Sequence, residues 1–134
     1  MPKKIFDPDT LFPAKPIAFS QVVTSTGGTT VHCAGQTASD LELNTVGVGD
    51  FPRQVEKALD NVRLALAAAG ATPRDVVRVT TYVVDYGPDK LDTVVGGLAE
   101  FFGGDDYPAA TLLGVQALAL PDLMVEIEVT AVID

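Results

Sequence analysis

Two glutamates two residues apart, Glu126 and Glu128, carry the strongest local chemical signal in this 134-residue chain. They lie in a run where the odd positions Leu123, Val125, Ile127, Val129, Ala131 and Ile133 are all apolar. The even positions Met124, Glu126, Glu128, Thr130 and Val132 are mixed. Strand side chains alternate with period two, so the odd set predicts one buried face. The even face is neither a clean solvent face nor a clean core. A carboxylate held against apolar surface can serve as a general acid or base, because desolvation moves its pKa toward working range. The plainer reading is a solvated strand face with two like charges.

The other reactive side chains are isolated. His32 is the sole histidine, and without an Asp, Glu or Ser motif around it, a strand histidine reads as structural or exposed rather than as a base. Cys33, the one cysteine, shares a predicted strand face with Val31 and reads as a buried small hydrophobe. One His and one Cys cannot furnish a closed zinc site from a single chain, so no metal is expected. The glycine pairs have no following Lys-Ser/Thr and no Rossmann context, which leaves nucleotide binding without support and no cofactor expected.

Charge and composition narrow the partners. Eighteen acidic residues against nine basic ones give a net charge of −9. That field repels nucleic-acid phosphates, whose binding depends on Lys and Arg, and the basic residues form no stripe. With 47% apolar residues the chain is rich enough to bury a core, and its length fits a single domain spanning 1–134. No apolar run reaches the ~18 residues of a membrane span, so no membrane partner is expected. The leading MPKKIFDPD has no apolar stretch behind its lysines and does not read as a secretory signal. A cytoplasmic location is expected, and the single cysteine agrees with it.

Several elements must position these residues. Residues 1–18, punctuated by Pro2, Pro8, Pro13 and Pro16, predict an extended arm without regular structure. Phe19–Thr24 and Thr29–Ala34 flank Gly27-Gly28 and predict a hairpin. Gly35 ends the second strand where a bulge or close approach is possible. A loop follows over 37–49. Asp50 is a helix N-cap, and Val55, Ala58, Leu59, Val62, Ala65, Leu66 and Ala69 mark one helical stripe closed by Gly70. Val76–Val84 is a β-branched strand. A second helix carries Leu91, Val94, Val95, Leu98, Phe101 and Phe102 on its stripe, with Gly96-Gly97 inside it at a cost of roughly 1 kcal/mol each. The pattern is α+β: a sheet of five or six strands with both helices on one face. The other face would expose Tyr82, Val84, Met124 and Val132, too much apolar surface to stay bare, and predicts an oligomer.

Tyr107-Pro108-Ala109, the Leu112–Val115 strand, Leu120-Pro121 and Val125-Glu126-Ile127-Glu128 together resemble the C-terminal signature of the Rid family, the YjgF-type reactive-intermediate deaminases. Phe19-Ser20-Gln21, Ala34-Gly35-Gln36, the helix from Asp50 to Ala69 and Val76–Asp85 extend the resemblance over nearly the whole chain. It implies a chorismate-mutase-like fold, assembled as a homotrimer around a central barrel, with small-molecule clefts between subunits. It implies hydrolysis of an imine or enamine to a ketone and ammonia, with Glu126 positioning or activating water. Gly35 and Thr111 would line the cleft through their backbones, and Glu128 would stay solvated. Some relatives are labelled ribonucleases, a label that the acidic charge opposes here.

The departures from that pattern are informative. The arginine that clamps a substrate carboxylate in deaminating members falls at Ala110. A planar bidentate donor suits that task better than any other side chain. The family tyrosine appears as Phe19, an asparagine position aligns with Val95, and the cysteine after the arginine becomes Leu112. Four polar or reactive groups thus become apolar together. Two functions stay open: a hydrolase for substrates without a carboxylate, or a ligand-binding or regulatory protein that has lost the chemistry.

Overall fold

The computed structural model describes residues 3–134. In chain order they form β1 (Lys3–Phe6), β2 (Val22–Ser25), β3 (Thr29–His32), β4 (Gln36–Thr37), α1 (Phe51–Ala68), β5 (Val76–Val84), α2 (Pro88–Phe101), β6 (Ala109–Val115) and β7 (Val125–Ile133). Short 3-10 turns lie at Lys15–Ile17 and Pro73–Asp75.

The alternating run is the centre of the sheet. β7 pairs antiparallel with β3, β4 and β5, and β6 runs parallel to β5, giving a five-stranded mixed sheet in the order β3-β7-β5-β6 with β4 beside β7. The odd residues Val125, Ile127, Val129 and Ala131 are buried and join Val79 and Val83 of β5 against the helices. Both helices cover that face, as the α+β pattern requires.

Each helix is set by local chemistry. The Asp50 side chain accepts from the Arg53 N–H and caps α1, with Pro52 in the first turn where no intrahelical donor is lost. The buried face of α1 includes an unexpected member, Gln54, with no exposed surface. Its Nε2 donates to the carbonyls of Gly47 at 3.1 Å and Asp122 at 2.9 Å, while its Oε1 accepts from the Met124 N–H at 2.9 Å. Such a group is tolerated inside because every polar atom is used. In α2, Gly97 faces α1: a Cβ there would lie 2.9 Å from Val55 Cγ1 and 3.3 Å from Leu59 Cδ1. Gly96 faces open space, so only one of the pair is needed for helix approach.

Three expectations need correction. The N-terminal arm is not wholly irregular: β1 pairs antiparallel with β2, and the Lys3 ammonium donates to the carbonyls of Arg74, Val76 and Asp106, pinning the segment down. Burial lowers the Lys3 pKa. The Gly27-Gly28 turn does not make a paired hairpin, because β2 joins β1 while β3 joins β7. Gly28, at φ +70°, packs on the Ile133 carbonyl where a side chain would collide. The open sheet face is apolar, but at positions that differ in part from those the alternation named. Met124 packs against the core, and Val132 is buried beside Gly28. What remains open is Tyr82, Val84 and Leu113, the last opposite Tyr82 and 44% exposed, with Arg78, Thr80, Glu126, Glu128 and Thr130, linked across the strands by the registers Tyr82–Glu126 and Thr80–Glu128.

Candidate functional site

The residues singled out by sequence fall into two groups on opposite faces of the sheet. On the open face, Glu126 sits between Thr37 of β4 and Tyr82 of β5, its cross-strand partners. Its carboxylate lies over Gly35. A Cβ at Gly35 would lie within 2.8 Å of Glu126 Cδ and 2.9 Å of Cγ, and closer still to Oε2. Gly35 therefore leaves room for Glu126 rather than serving a turn. Asn61 holds the neighbouring segment, its Nδ2 donating to the carbonyls of Thr37 and Ser39 at 2.9 Å each.

Glu128 departs from the expectation of a solvated side chain. It is half-buried and accepts a short hydrogen bond from the Tyr82 hydroxyl. That bond, with lesser contributions from burial and from the charges of Glu128 and Glu126, raises the Tyr82 pKa. Of the two carboxylates, only Glu126 lacks such a phenolic partner.

The second group surrounds a cavity of about 190 Å³ between β6, α2 and the segment before β2. Phe19, Val95, Ala110, Thr111 and Leu112 all line it, together with Ile17, Ala18, Thr81, Leu91, Val94 and Leu98. Ala110 and Leu112 alternate with Thr111 along β6, and Leu112 pairs with Thr81 across the β5–β6 ladder. The hydroxyl of Thr111 turns to the other side, where it accepts from Arg78 Nη2 at 2.5 Å. Phe12 packs edge-to-face on Phe19, ring centroids 5.9 Å apart, at the arm side of the cavity. Among the described residues, no charged side chain lines this space.

Glu126 and the cavity do not meet within one chain. β5 lies between β6 and β7, a separation of roughly 10 Å at ~4.8 Å per strand, and the two groups face opposite sides. Sequence reasoning placed Glu126, Gly35, Phe19, Val95, Ala110, Thr111 and Leu112 in a cleft between subunits; within a single chain Glu126 and Gly35 stand on one sheet face and the others line the cavity on the opposite face.

The remaining candidates lie outside both groups. His32 is exposed on β3 opposite Thr130. Cys33 is half-buried against the core rather than fully enclosed, and burial raises its pKa, holding the thiol protonated. Among the described residues, no three His, Cys, Asp or Glu side chains gather to hold a metal ion. Also among them, no helix is long and apolar enough to cross a membrane. Sequence reasoning missed Thr81, whose place in a β-branched run marked it only as core. It also missed Tyr82 as the partner of Glu128, although both belong to the even face of adjacent strands.

Comparison with known proteins resolves the family. A family model described as Endoribonuclease L-PSP matches residues 12–133. The chain belongs to this family, the Rid or YjgF type. It is 33% identical over 119 residues to a RutC family protein of Pyrococcus abyssi, covering 87% of this chain and 88% of that one. It is 29% identical over 107 residues to a 2-iminobutanoate/2-iminopropanoate deaminase of Dermatophagoides farinae, covering 80% of each. Among solved structures, the Rid family protein YyfB of Yersinia pestis, described as of unknown function, superposes with a TM-score of 0.96 at 41% identity. That match covers 99% of this chain and all of the other. The Rid fold assigned from the C-terminal signature is therefore the observed one, α+β with two helices on a five-stranded sheet.

Proposed function

We propose that this Rid-family chain forms a homotrimer with small-molecule clefts between subunits, and that it hydrolyses an imine or enamine lacking a carboxylate. The observation that carries this reading is the division of the site. A carboxylate seated over Gly35 on the open face and an apolar cavity at the β6 edge cannot cooperate in one chain. A second copy, laid with its open face across that edge, would bring its Glu126 to the cavity. The deaminase among the relatives supports the reaction class.

In this reading Glu126 takes a proton from water as the water oxygen bonds to the imine carbon. The C=N electron pair moves to nitrogen, which takes that proton from Glu126 and leaves the carboxylate free again. The resulting carbinolamine collapses, its O–H proton passing through Glu126 to the leaving nitrogen, so that C=O forms and ammonia departs. The balance is one imine and one water giving one ketone and one ammonia. No cofactor enters, and a cytoplasmic setting with no nucleic-acid partner fits the net charge of −9.

A second reading keeps the cavity and drops the chemistry: if copies do not bring Glu126 to it, each chain still offers a partly open apolar binding site. Ammonia release decides between them. Imines are generated in situ from neutral amines and, in parallel, from amino acids such as serine. Hydrolysis is expected for the neutral imines, weak or none for the amino-acid imines, and loss of activity in Glu126→Gln, whose amide cannot accept the proton of water. Vigorous turnover of amino-acid imines, or an unchanged Glu126→Gln, contradicts the proposal.

A further inference from the structure

We infer that the cavity beside β6 selects a small uncharged ligand with a compact branched or cyclic hydrocarbon body, and that the Thr81 hydroxyl is the polar group that orients it. This rests on the proposed function for the site's location, but not on any chemistry there.

Size comes first. A 190 Å³ space, open on one side, exceeds the ~150 Å³ apolar cavity that accommodates benzene, so the part of the ligand it takes in has roughly six or seven carbons. Shape and polarity follow from the wall. Phe19, Leu91, Val95, Leu98 and Leu112 present hydrocarbon from three elements.

The nearby charges are occupied elsewhere. Arg78 donates to Thr111 on the opposite sheet face. Lys15 pairs with Asp105 at 3.4 Å, and Lys90 donates to the carbonyls of Val84 and Asp85. A carboxylate entering this cavity would be desolvated with no cation to meet it. A second subunit's Glu126, brought close as proposed, would repel it further.

Two lining residues bear hydroxyls. Thr111 has its hydroxyl engaged with Arg78. Thr81 stands on the cavity side of β5, directly across from Leu112, with only 2% of its surface exposed. A hydroxyl in an otherwise apolar wall discriminates strongly, because a ligand atom that pairs with it gains what a hydrocarbon cannot. The ligand is therefore a ketone, imine or comparable molecule whose one polar atom reaches Thr81.

Chemical-shift titration of the assembled protein tests this without turnover. The probes are 4-methyl-2-pentanone, its carboxylated counterpart 4-methyl-2-oxopentanoate, and benzene. The ketone should shift the resonances of Phe19, Val95 and Leu112, and the oxo acid should bind at least about 30-fold more weakly, from the burial of an unpaired charge. Thr81→Val should weaken the ketone about 5-fold, the value of one neutral hydrogen bond, and leave benzene unchanged. Thr81→Ser keeps the hydroxyl and should retain ketone affinity. Equal binding of oxo acid and ketone overturns the charge selection, and equal ketone binding by Thr81→Val overturns the role of Thr81. No probe binding overturns both. Ketone binding in a protein that releases no ammonia leaves this inference standing and removes the hydrolysis.

Discussion

Replacing Gly35 by alanine tests the placement of Glu126 with a single methyl group. The new Cβ would stand 2.8 Å from Glu126 Cδ and 2.9 Å from Cγ, against ~3.5–4.0 Å for ordinary carbon contacts. The glutamate must retreat by roughly 1 Å, and because Cγ is involved the movement must include χ1. A side chain forced about 30° off its rotamer costs about 0.5–1.5 kcal/mol, so the unfolding midpoint in urea should fall only slightly. Misplacing a reacting group by about 1 Å can cost ~100-fold in rate. The expected result is therefore a folded protein with ammonia release reduced about 10- to 100-fold. Glu126→Ala in the Gly35→Ala background should restore the lost stability without restoring activity. Full activity in Gly35→Ala would refute the view that this glycine exists to seat a working carboxylate.

Other elements give sharper stability tests. Gln54→Leu removes three hydrogen bonds and strands the Asp122 carbonyl and the Met124 N–H, while the Gly47 carbonyl keeps the Asp50 N–H; a loss of about 2 kcal/mol is expected in urea unfolding. The glycine pair in α2 should split: Gly96→Ala, facing open space, should gain about 0.5–1 kcal/mol, while Gly97→Ala should gain nothing or lose stability against Val55 and Leu59. Burial raises the Cys33 pKa, so the folded chain holds the thiol proton more tightly than the unfolded chain. That contribution is complete below the ordinary thiol pKa and is lost as pH rises through and above it. Stability measured across the alkaline range should fall less steeply in Cys33→Ala than in wild type.

How much of this was legible in the sequence depends on which residues had local signals. Period two over β7 and β5 and the stripes of α1 and α2 are local patterns, and their elements formed within a residue or two of expectation. The Asp50 cap was equally readable, since its partner lies three residues away. Strand pairing was not. Gly27-Gly28 between β-prone runs carries the same signal whether the strands pair or diverge, and β1, hidden among prolines, took β2 for itself. The site was legible as residues but not as an arrangement. Family spacing picked out Phe19, Val95, Ala110 and Leu112, which do share a cavity. Nothing in spacing says that Glu126 faces the other way, because that follows from strand order. Gln54 and Thr81 were invisible, being polar residues whose burial is decided by distant partners.

The central claim is that Glu126 of one copy serves the cavity of another, and a subunit-mixing measurement tests it most directly. Glu126→Gln removes the carboxylate and Leu112→Trp fills the cavity; each variant alone should be inactive in ammonia release from a neutral imine. Co-refolded in equal amounts, the two should regain about a quarter of the wild-type rate. A working cleft needs an intact Glu126 from one subunit and an intact cavity from its neighbour, each present half the time in a cyclic assembly. No recovery in trimers shown by sedimentation to contain both variants would contradict the claim, as would a monomeric wild type that retains full activity.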